Sequence, residues 1–246
     1  MATYVISDIH GAYKKFYKML KKLNIDLTVD VLIINGDILD RGKDSLKLFY
    51  EIYNMQQKYG SDHLIINKGN HELFLSNYLK GRLPKSIYSS QAYGGTDTIR
   101  ETESLSDEEK NSLIEILDSL PIYTIVHSEK RGEDIVVCHT GPHYNFVLKN
   151  SDGTVNVIDS IMESYKWNEN DFLINGFIQR EAPAAVLKSL DHVLCVGHVP
   201  TIYLPEIQDS VISAMPGNRV ILTDTGAGHG DRLGCLRIDD EATFYV

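Results

Sequence analysis

Short apolar runs recur along the first third of the chain, and each gives way to a polar, glycine-bearing tip and then to apolar residues at helical spacing. Residues 3–7, "TYVIS", predict a buried strand; Tyr13, Phe16, Tyr17 and Leu20, at i, i+3, i+4 and i+7, predict an amphipathic helix behind it. "VDVLIIN" (29–35) repeats the arrangement with Leu46, Phe49, Tyr50 and Tyr53, and "HLIIN" (63–67) repeats it again with a helical "HELFLSNYL". Three βα units in succession imply a parallel sheet.

The pattern then changes. Residues 81–120 are more polar, but "SDEEKNSLIEILDSL" sets Ser106 and Glu109 at capping-box spacing ahead of an apolar stripe at Leu113, Ile116, Leu117 and Leu120. "IYTIVHS" and "DIVVCHTG" predict paired strands joined by the charged turn "EKRGE"; helices are predicted in "VIDSIMESYKW" and "APAAVLKSL", and strands in "HVLCVGH", "SVISAM", "RVILTD", "GCLRID" and "ATFYV". The expectation is an α/β fold with two sheets face to face and helices outside. It forms one domain over residues 1–246, with cap-like helical insertions near 81–120 and 143–190.

Composition narrows the function classes. A formal net charge of −10 and a pI near 5.3 oppose nucleic-acid binding, which needs a basic surface. The three cysteines, Cys138, Cys195 and Cys235, show no Cys-x-x-Cys spacing, so neither a disulfide framework nor a cysteine zinc site is indicated. "MATYVISDIHG" enters a strand without the regions of a secretory signal, and no run approaches the ~18 apolar residues of a membrane span. A cytoplasmic protein without a membrane partner is expected.

The chemistry lies at the strand ends. "SDIHG" offers Asp8 and His10, "NGDILDRG" offers Asp37 and Asp40, "KGNHE" offers Asn70 and His71, "VCHTG" offers His139 and "VGHVP" offers His198. Taken singly, each has an ordinary structural explanation, as a helix cap, a turn or a core histidine. Jointly, they place oxygen and imidazole donors, and no thiolate, where α/β proteins keep their functional loops. Such donors suit manganese, iron or zinc, and there are more of them than one ion needs, so a two-metal site sharing Asp37 is the economical reading. A pair of ions supplies a bridging hydroxide for attack on phosphorus; Arg41 offers a planar fork for phosphate, and His71 held by Asp40 offers a proton to the leaving group.

At these residues the chain resembles the phosphoprotein phosphatase family of calcineurin-like metallophosphoesterases, in its bacterial and phage serine/threonine type. The blocks "DIHG", "GDILDRG", "GNHE", "CHTG" and "GHVP" carry the resemblance, and "DTGA" (224–227) is similar to the closing block of those members. The resemblance implies an α/β/β/α metallophosphoesterase sandwich with two divalent ions, manganese foremost and iron or zinc as alternatives. One ion would sit on Asp8, His10 and Asp37 and the other on Asp37, Asn70, His139 and His198, with phosphate on Arg41 and the His71–Asp40 pair as general acid. Glu72 is expected to act as structural support, and "YGGTDT" (93–98) to shape the cleft rim.

The chain departs from the family pattern at Ser7 and Thr140, where glycine is usual, and in "YKWNENDF", where acidic or amide residues follow the tryptophan. A second phosphate-binding arginine is assigned to Arg180 in "LINGFIQRE", a segment that looks like the symmetrical dinucleoside tetraphosphatase branch. The expected substrate is a phosphoprotein or a small phosphoester. The alternative is diadenosine tetraphosphate, cleaved as by a symmetrical bis(5'-nucleosyl)-tetraphosphatase.

Overall fold

In the computed structural model, which describes residues 1–174, 183–215 and 217–246, the side-chain alternation along each strand sets the layers. β1 (Thr3–Ile6), α1 (Tyr13–Leu23), β2 (Val31–Asn35), α2 (Ser45–Tyr59), β3 (Leu64–Asn67) and α3 (Asn70–Leu79) follow the predicted order, with β1, β2 and β3 mutually parallel. Tyr4, Ile6, Leu32 and Ile34 point toward the helices, whereas Val5 and Ile33 point toward a second sheet. Both faces are buried, so these strands read as unbroken apolar runs.

After α4 (Lys85–Tyr88), α5 (Thr96–Thr102) and α6 (Asp107–Ser119), the second sheet begins with the hairpin β4 (Tyr123–Ser128) and β5 (Glu133–Cys138). A ribbon of β6 (Leu148–Lys149) and β7 (Val155–Asn156) follows, then α7 (Val157–Trp167), α8 (Glu169–Ile174), α9 (Ala184–Lys188), β8 (Val193–Val196), β9 (Ser213–Ala214) and β10 (Val220–Leu222). The sheet order is β4-β5-β8-β10-β9, with β5, β8 and β10 parallel. Ile135, Val137, Val193, Cys195 and Ile221 meet Val5 and Ile33 between the sheets, while Val136, Leu194 and Leu222 face α7–α9. The result is the predicted α/β/β/α arrangement.

The chain closes by returning to the first sheet. β11 (Gly234–Arg237) pairs antiparallel with β1, and β12 (Thr243–Tyr245) with β11, giving the order β12-β11-β1-β2-β3. β1 would otherwise be an exposed edge. The strand-rich second half therefore does not supply one sheet of its own.

Two details correct the periodicity. Tyr17 is 37% exposed while Met19 is fully buried, so the buried side of α1 is turned from the predicted stripe. The second strand starts at Val31, leaving Val29 in solvent. The capping box of α6 forms as predicted: the Ser106 amide donates to Glu109 Oε2 at 2.7 Å, and the Glu109 amide to Ser106 Oγ at 3.2 Å. Among the described residues, no helix is long and apolar enough to cross a membrane.

Candidate metal and phosphate site

The carboxyl ends of six parallel strands, three from each sheet, converge on one cleft. Asp8 and His10 follow β1, Asp37 follows β2, Asn70 and His71 open α3 after β3, His139 follows β5, His198 follows β8 and Asp224 follows β10. The ladder between β1 and β2 runs on past the strands: His10 N–H donates to the Asp37 carbonyl at 2.9 Å and Gly11 N–H to the Ile38 carbonyl at 2.8 Å. The two tips are thereby held side by side.

The local backbone is strained toward this purpose. Asp8, His10, Asp37, Asp40, Arg41 and His198 all adopt positive φ, between 47° and 71°. Such conformations cost side-chain-bearing residues about 1–3 kcal/mol each and persist where the surroundings over-determine them. Glu72 supplies much of that determination, since its carboxylate accepts from the amides of Asp37 (2.8 Å), Ile38 (2.9 Å), Leu39 (3.3 Å) and Gly69 (2.9 Å). Its expected supporting role is thus a tie across the tips of β2 and β3. Gly69 and Gly197 are required by close approach: a Cβ at either would stand 2.2 Å from a carboxylate oxygen, of Asp37 or of Asp8.

The imidazoles are aimed by their second nitrogens. Nδ1 of His10 lies 2.8 Å from the Leu39 carbonyl, Nδ1 of His139 3.0 Å from the Asn35 carbonyl, and Nε2 of His198 2.9 Å from the Ile174 carbonyl. Carbonyls only accept, so each ring donates there and turns its other nitrogen toward the cleft. Those nitrogens meet oxygens. His139 Nε2 is 3.2 Å from Asp37 Oδ2 and 2.9 Å from Asn70 Oδ1, His198 Nδ1 is 2.8 Å from Asn70 Oδ1, and His10 Nε2 is 3.6 Å from Asp37 Oδ2. Converging electron-pair donors of this kind fit a cation.

Among the described residues, two groups have ligand atoms mutually within 4.8 Å: His10, Asp37 and His71, and Asp37, His139 and His198. Asp37 belongs to both. Asn70 Oδ1 joins the second group through its two imidazole contacts. Asp8 lies outside both groups; its carboxylate accepts the His198 amide at 2.9 and 3.1 Å.

The electrostatics suit metal binding. Burial opposes ionisation of Asp37, but the His139, His71 and His10 imidazoles outweigh it and hold the carboxyl well below its ordinary range. Burial, then His139, lowers His198 to about 3, and burial, then His71, lowers His10, leaving both neutral as ligands must be. Burial also opposes protonation of His139, yet Asp37 and Asp8 prevail and raise it to about 10. A field that draws a proton so strongly would also favour a bound cation.

His71 and Arg41 stand at the same cleft, a cavity of about 270 Å³ also lined by His10, Asp37, Asn70, His198 and Asp224. His71 Nδ1 sits 2.7 Å from Asp40 Oδ2, and Arg41 Nε is buried without a partner among the described residues. Arg180 lies outside the described residues. Gly94 of "YGGTDT" accepts the Arg41 amide at 3.0 Å, so that block does form the rim.

Three residues of the site were given no individual role from sequence. Tyr88 and Thr98 bond the Asp40 carboxylate but sit in a polar stretch that carries no metal-ligand signal. Asp224 lines the cavity, buried, with burial and then Asp37 raising its carboxyl to about 7, against the Gly226 amide. The "DTGA" block that contains it was the available signal.

Comparison with known proteins agrees with this geometry. A family model described as calcineurin-like phosphoesterase matches residues 1–223. The chain is 31% identical to the asymmetrical bis(5'-nucleosyl)-tetraphosphatase PrpE of Bacillus subtilis (strain 168), over 100% of this chain and 94% of that protein. It is 30% identical to a symmetrical bis(5'-nucleosyl)-tetraphosphatase of Buchnera aphidicola subsp. Schizaphis graminum (strain Sg), over 61% of this chain and 56%, just over half, of that relative's length. A protein serine/threonine phosphatase from Saccharomyces cerevisiae shares the fold at a TM-score of 0.68 and 13% identity, over 100% of this chain and 80% of that chain.

Proposed function

Because this chain belongs to the calcineurin-like phosphoesterase family, we propose that it hydrolyses dinucleoside tetraphosphates at a two-metal centre. The observation that carries the two-metal reading is the membership of Asp37 in both donor groups. One divalent ion would be held by Asp8, His10 and Asp37, and the other by Asp37, Asn70, His139 and His198. Manganese, iron and zinc all suit such donors. Ions so held supply an activated water at neutral pH and neutralise charge on the phosphoryl oxygens.

The chain's own residues do the rest. Arg41, with its Nε free of protein partners among the described residues, presents a fork to phosphate oxygens. His71 donates from Nε2 to the leaving oxygen, while its Nδ1–H stays on Asp40. Burial works against the His71 imidazolium, but Asp37 and Asp40 raise its pKa, which favours the protonated form an acid needs.

The substrate class rests on the relatives. The end-to-end relative carries a dinucleoside tetraphosphatase name, whereas the serine/threonine phosphatase likeness is one of fold at 13% identity. The phosphoprotein reading of the sequence blocks therefore gives way to the dinucleoside tetraphosphate alternative, with asymmetrical cleavage in place of the symmetrical cleavage first expected. The relative matched over 94% of its length is named asymmetrical, so ATP and AMP are the expected products.

The test is incubation of Mn²⁺-loaded protein with diadenosine tetraphosphate and, at equal concentration, a phosphoserine peptide, with products resolved chromatographically. ATP plus AMP in equal amounts supports the reading. Two molecules of ADP per substrate would favour the symmetrical relatives as the guide, and turnover of the peptide alone would overturn the substrate assignment.

A further inference from the structure

Asp40 receives more hydrogen bonds than the orientation of one imidazole requires. Its Oδ2 faces His71 Nδ1 at 2.7 Å, while Oδ1 accepts from the Tyr88 hydroxyl at 2.7 Å and from Thr98 Oγ1 at 2.6 Å. Asp40, Tyr88 and Thr98 are all fully buried. Tyr88 ends α4 and Thr98 lies in α5, so both hydroxyls come from a segment that contributes none of the metal-capable donors.

A carboxylate held at one oxygen by a single partner can still swing about its Cβ–Cγ bond. Two hydroxyls on Oδ1 remove that freedom, because rotation would leave buried donors unpaired. Oδ2 is then left in one position for the imidazole. The segment is itself wedged in place: a Cβ at Gly95 would stand 2.5 Å from the Tyr88 ring, and the adjacent Gly94 carbonyl holds the Arg41 amide at 3.0 Å.

We propose that Tyr88 and Thr98 are positioning residues for the proton donor: by fixing the plane of the Asp40 carboxylate, they hold the His71 ring with Nε2 toward the cleft. This rests on the phosphoesterase reading above and on His71 as the acid. As a water oxygen bonds to phosphorus and the P–O bond to the leaving group breaks, the broken bond's electron pair stays on the leaving oxygen, which takes the proton from His71 Nε2. The competing explanation is that the hydroxyls only satisfy a buried carboxylate and contribute to folding.

Leaving-group dependence separates the two. Phenoxide is a stronger base than p-nitrophenoxide and depends more on a well-placed acid. kcat and KM are measured for phenyl phosphate and p-nitrophenyl phosphate with Mn²⁺, for wild type, His71→Asn, Tyr88→Phe, Thr98→Val and Thr98→Ser. The expected result is that Tyr88→Phe and Thr98→Val each lower kcat for phenyl phosphate about tenfold more than for p-nitrophenyl phosphate, in the direction of His71→Asn. KM should change little, and Thr98→Ser, which keeps the hydroxyl, should recover the wild-type ratio. In ¹⁵N-labelled protein without added metal, the His71 Nδ1–H resonance should shift or broaden in Tyr88→Phe and Thr98→Val and return in Thr98→Ser.

Equal losses on both esters, or an unmoved His71 resonance, overturn the inference. An unchanged ratio in His71→Asn removes His71 as the acid, and this inference with it. Failure of the wild type to turn over either ester and diadenosine tetraphosphate overturns the phosphoesterase reading itself; where it turns over diadenosine tetraphosphate alone, the His71 resonance decides the inference.

Discussion

Asp37 concentrates three constraints in one side chain: a left-handed backbone, a buried carboxylate below its ordinary pKa range, and membership in both donor groups. Replacing it by asparagine keeps the shape and removes the charge. Asp37→Asn should lose bound manganese and lower kcat by on the order of a thousandfold, since several kcal/mol of transition-state stabilisation depend on the ions; metal analysis beside kinetics checks both. Asp224 gives a second test at this scale. Its carboxyl, raised from 3.8 to about 7 mainly by burial, binds its proton more tightly folded than unfolded. Unfolding therefore releases a proton between these values, and stability falls as pH rises through that window, by on the order of 4 kcal/mol. With both proteins chelated, Asp224→Asn should be more stable than wild type at pH 8 and nearly equal at pH 4, measured by urea unfolding. The metal-capable residues were legible because imidazole and carboxylate at successive strand tips are rare together. Tyr88 and Thr98 were not, because a hydroxyl in a polar stretch carries no mark of the carboxylate it will meet.

At the scale of elements, legibility followed how local the stabilising interaction is. The capping box of α6 depends on residues three apart, and Ser106 and Glu109 satisfy each other as read. Ser106→Ala should cost about 1 kcal/mol and leave kcat unchanged, since the helix packs through Leu113 and Leu117 and none of its residues lines the cleft. The orientation of α1 was less legible: Tyr13 and Tyr17 both reach Glu51 on α2, a pairing across helices that turns Tyr17 outward and Met19 inward. The short helices α4 and α5 had no periodic stripe to read, because α4 is four residues long and α5 seven. Glu101 in α5 accepts the amides of Leu46 at 2.9 Å and Lys47 at 3.2 Å, so the insertion also caps the start of α2. Its structure is defined by the long-range partners it serves.

At the scale of the molecule, the cleft sits where the two sheets meet, and polar side chains bridge them just beneath it. Asn35 Nδ2 donates to the Cys138 carbonyl at 3.0 Å, Asn67 Nδ2 to the Val137 carbonyl at 3.1 Å, and Ser7 and Thr223 hydroxyls pair at 3.0 Å. Ser7 thus links β1 to the strand end of β10. Above this seam, Asp8, His10, Asp37 and Asn70 come from the first sheet and His139 and His198 from the second, so ions held by these residues would join the sheets as well as serve chemistry. Binding to the folded state alone then adds stability by mass action, about 2.7 kcal/mol at a hundredfold excess over Kd. Chelation should lower the midpoint of thermal unfolding, and added Mn²⁺ should restore it in proportion to the logarithm of its concentration. His139→Ala and His10→Ala, one ligand from each sheet, should each flatten that dependence. A midpoint indifferent to Mn²⁺ in the wild type would show that the polar seam and the apolar layer of Val5, Ile33, Val137 and Cys195 hold the sheets without help from metal.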